Sequence, residues 1–253
     1  MTEAVATERR IIRVPPAVAF GSKFGKYKPE EEKEVRKVEI KEDNVLKKLK
    51  AAWKRFRYDI LISWEKNYGV VSGQVKRLEY SSKDVENFCI ALAEFQGEEH
   101  FGSKAGLFLS ALINNGKDTD YVIHTQHLNR EIRWLGYGNS RNITVNGNTG
   151  GWVGFGMKGG SITVHGDVRE AAGMEMKGGA IIVDGNATGR VGGSMKGGSI
   201  TVNGDAGGWV GLGMKGGEIH LEGDCQSLAC TREGGRIYHK GKLIWSGSHE
   251  RTF

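Results

Sequence analysis

The sequence predicts a mainly-β protein: a parallel β-solenoid of about five 19-residue coils, preceded by a small α+β capping domain. Three observations carry this reading. Glycine is in excess, 39 of 253 residues against 3 prolines, and 27 of those glycines fall between Asn142 and Gly235. An average usage of ~7% would give about half as many. The same stretch repeats itself every 19 residues, and each repeat opens on two aliphatic residues spaced by two, which is strand spacing. Such a short, glycine-rich unit has no core of its own and buries its apolar face only against the next unit.

Residues 1–44 read as an extended, charged arm, with Pro15-Pro16 and the run KPEEEKEVRKVEIKED. From Val45 the pattern becomes helical. Leu46, Leu49, Trp53, Phe56 and Ile60 fall at 3-4-3-4 spacing, one face of a helix. The other face carries Lys47, Lys48, Lys50, Lys54, Arg55 and Arg57. Tyr68–Tyr80 has the composition of a strand. Ser81 and Asp84 stand in capping-box spacing before Val85, Phe88, Cys89, Leu92 and Phe95, a helix that ends at Gly97. A second helix spans Ser103–Asn115 and stops at Gly116. Tyr121–His124 reads as a strand leading into the first coil. Residues 45–125 therefore form the capping domain, and 126–253 the β-helix domain.

The coils follow as NITVNGNTGGWVGFGMKGG, SITVHGDVREAAGMEMKGG, AIIVDGNATGRVGGSMKGG, SITVNGDAGGWVGLGMKGG and a decayed EIHLEGDCQSLACTREGG. Ile143, Ile162, Ile181, Ile200 and Ile219 form one column, and Val145, Val164, Val183, Val202 and Leu221 a second. Stacked at ~4.8 Å, five coils make a column roughly 25 Å long. At ~1.5–3 kcal/mol per buried aliphatic side chain, the two ladders supply most of the driving force. Gly-Asx steps such as Gly166-Asp167 mark the turns. Several glycines per unit, at ~1 kcal/mol each, exclude a helix. After Gly235, RIYHKGKLIW around Lys240-Gly241 reads as a hairpin that closes the far end.

The recurring G-x-x-M-K-G-G-x-I-x-V-x-G-[DN] resembles the GXGXG β-helix family, over residues 142–235. That family includes the β-helical subunit of formylmethanofuran dehydrogenase and the C-terminal domain of the glutamate synthase large subunit. The resemblance implies a right-handed β-helix. It also implies a non-catalytic scaffolding subunit of a larger redox or one-carbon enzyme complex, working beside other protein subunits. An alternative rests on charge. Residues 1–57 hold 16 Lys/Arg against 9 Asp/Glu, an excess that accounts for the whole net charge of +6. That segment suits a basic adaptor for RNA, a ribonucleoprotein or an acidic protein.

No apolar run approaches the ~18–20 residues of a membrane helix, and MTEAVATERRIIRVPP has no apolar signal core. Three cysteines without a CxxC pair argue against a disulfide framework. These features point to the reducing cytoplasm. Two segments, Gly154–Gly159 and Gly211–Gly216, satisfy GxGxxG, but a repeat element follows each where a dinucleotide fingerprint needs a helix. His124 and His127 stand at i, i+3 with no third ligand nearby. Cys225 and Cys230 read as small buried thiols, and Glu98-Glu99-His100 as a loop between helices. No catalytic, cofactor-binding or metal-binding residue is assigned. The partner-binding candidates are the six basic residues named above, Trp152 and Trp209 in one column, and the lysine column Lys158, Lys177, Lys196 and Lys215. The tryptophans either seal turns against the coil or mark a partner surface. The lysines must face solvent or be neutralised, since neighbouring ammonium groups repel by ~1 kcal/mol even in water.

Overall fold

The computed structural model describes residues 43–229 and 234–247. The charged arm, apart from its last two residues, and Cys230 lie outside the described residues. Four helices come first. Helix α1 (Asn44–Arg55) starts where the Asp43 carboxylate accepts from the Leu46 amide at 2.8 Å, and it buries Leu46, Leu49, Ala52 and Trp53. It ends earlier than the apolar spacing predicts. Phe56 caps it in an extended conformation, so Ile60 lies beyond the helix and is exposed.

Tyr68–Tyr80 is not a strand. Helix α2 (Trp64–Val75) occupies most of it, started by Ser63, whose hydroxyl accepts from the Lys66 amide. Asn67, Val71 and Val75 are the buried positions, four residues apart as a helix requires. The β-branched valines favour a sheet, but the cap and this spacing prevail. Helix α3 (Ser82–Ala91) carries the expected capping box between Ser81 and Asp84. It runs through a single 3-10 turn, Leu92–Phe95.

Helix α4 (Phe101–Asn115) is the buried axis of this region, with Lys104 through Ile113 all shielded from solvent. Trp53, fully buried, sits among Phe88, Phe95, Phe101 and Phe108, with ring centroids 5.4–6.1 Å away.

One hydrophobic core continues from these helices into the solenoid. Gly102, Gly106 and Ser110, spaced by four, make a smooth stripe on α4 where the chain at 131–136 lies against the helix. A Cβ at Gly106 would overlap the Arg133 carbonyl, and one at Gly102 the Glu131 carbonyl. Ser110 completes the contact by accepting from the Gly136 amide at 2.9 Å.

The main sheet runs β1 (Asp120–His124), β2 (Asn142–Asn146), β3 (Ser161–His165), β4 (Ala180–Val183), β6 (Ser199–Val202), β8 (Glu218–Leu221), β9 (Arg236–His239) and β10 (Lys242–Ser246). Every pair is parallel except the terminal β9–β10 hairpin. Seven parallel rungs make about six turns, one more than the repeat count predicts. The addition is β1, which does not merely lead into the first coil but pairs Tyr121 with Ile143 and Ile123 with Val145. Ile143, Ile162, Ile181, Ile200, Ile219 and Ile237 stand in register and buried, as do Val145, Val164, Val183, Val202 and Leu221.

The second strand of each coil is brief. β5 (Ala187–Gly189) pairs with β7 (Ala206–Gly208), and single bridges extend that column from Thr149 to Cys225. Each coil then turns through alternate left-handed residues, for example Trp152 (φ 64°), Gly154 (φ 66°) and Gly156 (φ 62°). Gly154, Gly173 and Gly192 are glycine for a second reason: a Cβ there would strike the tip of a ladder isoleucine. Val153, Ala172, Val191 and Val210 point inward from this turn, with Met157, Met176, Met195 and Met214 beyond it, all fully buried. At the far end β10 carries a bulge between Leu243 and Trp245 and begins on Lys242, devices that discourage further strand addition.

Candidate functional site

The polar columns of the solenoid mostly hold one coil to the next. In the turn column Asn148–Asp167–Asn186–Asp205–Asp224, one side-chain oxygen of each of the first four residues accepts from the next Asx amide at 2.8 Å. Those four oxygens are thus engaged along their own column rather than with the lysine column, and the Asp224 carboxylate pairs with Lys240 at 3.2 Å. Beside them His165 Nδ1 lies 2.6 Å from the Asp184 carboxylate, whose other oxygen accepts from Asn203 at 3.1 Å. Both GxGxxG segments fold as the left-handed turns of a coil, the form the repeat context requires.

Among the helical candidates, Lys47, Lys48, Lys54, Arg55 and Arg57 are exposed, and Lys54 and Arg55 sit in the last turn of α1, where cations favour the helix dipole. Lys50 is bonded to Glu94 at 2.7 Å. Glu98 is more than a loop residue. One of its oxygens accepts from Trp53 Nε1 at 2.9 Å, and the other pairs with the buried Lys104 at 2.7 Å. Lys104 also lies 4.2 Å above the Trp53 ring. The apolar surroundings of Lys104 give no sequence signal for this pair.

His124 and His127 serve the cap. His124 Nε2 lies 3.0 Å from Glu86. Burial raises the affinity of the Glu86 carboxyl for its proton, but the hydrogen bonds from His124 and Lys83 outweigh it and hold the group below its ordinary range. Burial pushes the His127 imidazole down, against the opposing hydrogen bonds to the Cys89 and Ile90 backbone. The Cys89 thiol, bonded to the His124 carbonyl at 3.1 Å, is pushed up to about 12 by burial and is unreactive. Cys225 is half-buried rather than enclosed. Among the described residues no three His, Cys, Asp or Glu side chains group to hold a metal ion, and no helix is long and apolar enough to cross a membrane.

The tryptophan column resolves into two environments. Trp64 of α2 stacks on Trp134 at 5.3 Å, and Trp134 stacks on Trp152 at 4.7 Å with 7° between the planes. Phe155 closes edge-on against Trp64 and Trp134. Trp152 therefore seals the junction between cap and coil. Trp134 was missed from the sequence, although Trp-Leu-Gly-Tyr-Gly at 134–138 echoes Trp-Val-Gly-Phe-Gly at 152–156.

Farther along the column, Ala171 is buried and Arg190 places its guanidinium 5.3 Å over the Trp209 ring. Trp209 is 53% exposed, with Leu212 at 39% and Leu228 at 37% beside it across the Val210–Leu228 bridge. A shallow groove of about 310 Å³ runs along Trp209, floored by Gly189 and Gly208 and edged by Glu170 and Arg190. Lys158, Lys177, Lys196 and Lys215 are exposed in register, their backbones bonded from coil to coil. Lys158, Lys177 and Lys196 have no ion pair among the described residues.

No protein-family model matches the chain, and comparison with curated proteins finds no match.

Proposed function

We propose that this chain is a non-catalytic scaffolding subunit that docks a protein partner on the outside of its solenoid. The assembly envisaged is a redox or one-carbon enzyme complex of the formylmethanofuran dehydrogenase or glutamate synthase kind. One observation carries the reading: Trp209 stands half out of the surface, with the Arg190 guanidinium 5.3 Å over its ring, and lines a groove. A large aromatic with few rotatable bonds loses little entropy on contact, which is the character of an interface anchor. The use of the polar columns for coil-to-coil bonding supports a scaffold as well. Native mass spectrometry of the tagged chain isolated from its own cells tests the proposal. A stoichiometric assembly with oxidoreductase subunits is expected, and an unaccompanied monomer would refute it.

The exposed Lys158, Lys177 and Lys196 favour the second reading, a basic adaptor for RNA or an acidic protein. A parallel ladder of exposed ammonium groups attracts a polyanion, and such binding is steeply weakened by salt.

A further inference from the structure

We infer that the cleft between the start of α4 and the chain at 129–133 binds a phosphate-bearing ligand, a pyrophosphate group being the best match. The cleft is shallow, with a volume of about 440 Å³, and its lining includes the exposed Arg130, Arg133 and Arg169 together with His100 and Glu131. That volume lies within the ~300–1,000 Å³ of small-molecule sites. Its polar lining suits a highly charged ligand rather than an apolar one.

The cleft carries an excess of positive charge. Three guanidinium groups, those of Arg130, Arg133 and Arg169, line the cleft against one carboxylate, Glu131, which pairs with Arg169 at 3.3 Å. Glu98 is fully used by Trp53 and Lys104, and Glu99 pairs with His100 at 3.3 Å. Arg130 gives one donor to the Glu98 carbonyl at 3.3 Å. A guanidinium has five donors, so four remain. The Arg133 guanidinium lies 5.7 Å from the centre of the Trp152 ring, and its side-chain donors make no hydrogen bond among the described residues. Guanidinium donors arranged in a planar fork are the usual partners of phosphate oxygens. The positive end of the α4 dipole, at Phe101–Ser103, adds to the same potential.

The cleft is also built rigidly. Gln96 accepts from the Asn129 and Arg130 amides, and Arg133 donates its amide to the Gly102 carbonyl at 3.0 Å. On the other side Ile132 accepts from Gly150 at 2.8 Å. The close approach at Gly102 and Gly106 fixes the segment on α4. These bonds fix the backbone that carries Arg130 and Arg133, so the segment itself need not reorganise to close on a ligand.

Isothermal titration of the full chain with inorganic pyrophosphate tests the site. The wild type should bind one equivalent. Arg130→Gln with Arg133→Gln should weaken binding at least about a hundredfold, about tenfold per guanidinium, with an unchanged circular dichroism spectrum. Glu131→Gln should tighten binding several-fold, a gain that no unfolding can mimic. Replacing Lys158, Lys177 and Lys196 by glutamine should change nothing. No binding by the wild type, equal binding by the double arginine variant, or a loss confined to the lysine variant would overturn the assignment.

Discussion

Trp134, on the loop that leaves the helical cap, stacks on Trp152 of the first full coil with ring centroids 4.7 Å apart and planes 7° apart. Both residues hold left-handed backbone conformations, φ 65° and 64°, so the cap loop reproduces the turn of the coil below it. The helical region is thereby a continuation of the solenoid rather than an appended body. An exposed first rung would offer unpaired backbone, and α3 packed against β1 with this stack shields it. Trp134→Ala should cost about 2–4 kcal/mol, slightly less than a fully enclosed tryptophan, and lower the melting temperature in a single transition. Separate melting of cap and solenoid would show that the stack does not couple them.

Ile181 is paired on both sides, with Ile162 and Ile200, at the middle of the inner ladder. Ile181→Asp should unfold the solenoid cooperatively, because a buried unpaired carboxylate costs several kcal/mol, comparable with total stability. Ile182, one residue on, lies in the outward column between Thr163 and Thr201 and is 38% exposed. Ile182→Thr should move stability by less than about 1 kcal/mol. Comparable melting of the two variants in thermal denaturation would contradict the inward assignment.

Glycines of the helices divide by what surrounds them. A Cβ at Gly69 or Gly73 of α2 meets nothing within 4 Å. Gly69→Ala and Gly73→Ala should therefore each stabilise by about 0.5–1 kcal/mol through helix propensity. Gly106→Ala, by contrast, must push the chain at Arg133 off α4 and should destabilise by several kcal/mol. Denaturant midpoints for the three variants check the opposite signs.

Acid should weaken the cap. The folded His127 imidazole is held below its unfolded value of ~6.5, so between the two values the unfolded chain binds more protons and stability rises with pH. The depressed Glu86 carboxyl acts in the same direction at lower pH, its contribution lost as pH falls through the folded value. The melting temperature should fall from about pH 7.5 to about pH 5, and His127→Gln should flatten that slope. An unchanged slope in the variant would place the proton uptake elsewhere.

Much of the architecture was legible because the repeat reports it redundantly. Two aliphatic residues spaced by two, five times over, admit one inward face, and several glycines per unit exclude a helix. The cap was harder. The valines of α2 imitate a strand, whereas the signal that decides it, Asn67, Val71 and Val75 at fourfold spacing after Ser63, includes a buried polar residue. The first rung was hidden because Ile123 and Val145 are 22 residues apart, three more than the repeat. For the candidate site, the Trp152–Trp209 column was visible, but its division was not. Whether an indole is sealed depends on Trp64 and Trp134, which reach the column from α2 and from the loop after β1.

The affinity of the chain for its protein partner, measured with Trp209→Ala at two salt concentrations, tests the scaffold proposal most directly. Trp209 is half-exposed, so the variant should keep the wild-type melting temperature to within a few degrees. The account predicts a loss of roughly thirtyfold or more, as for an anchor worth at least about 2 kcal/mol, with little dependence on salt. Undiminished binding by Trp209→Ala, together with release of the partner as salt rises from about 50 to about 300 mM, would contradict it and transfer the interface to the lysine column.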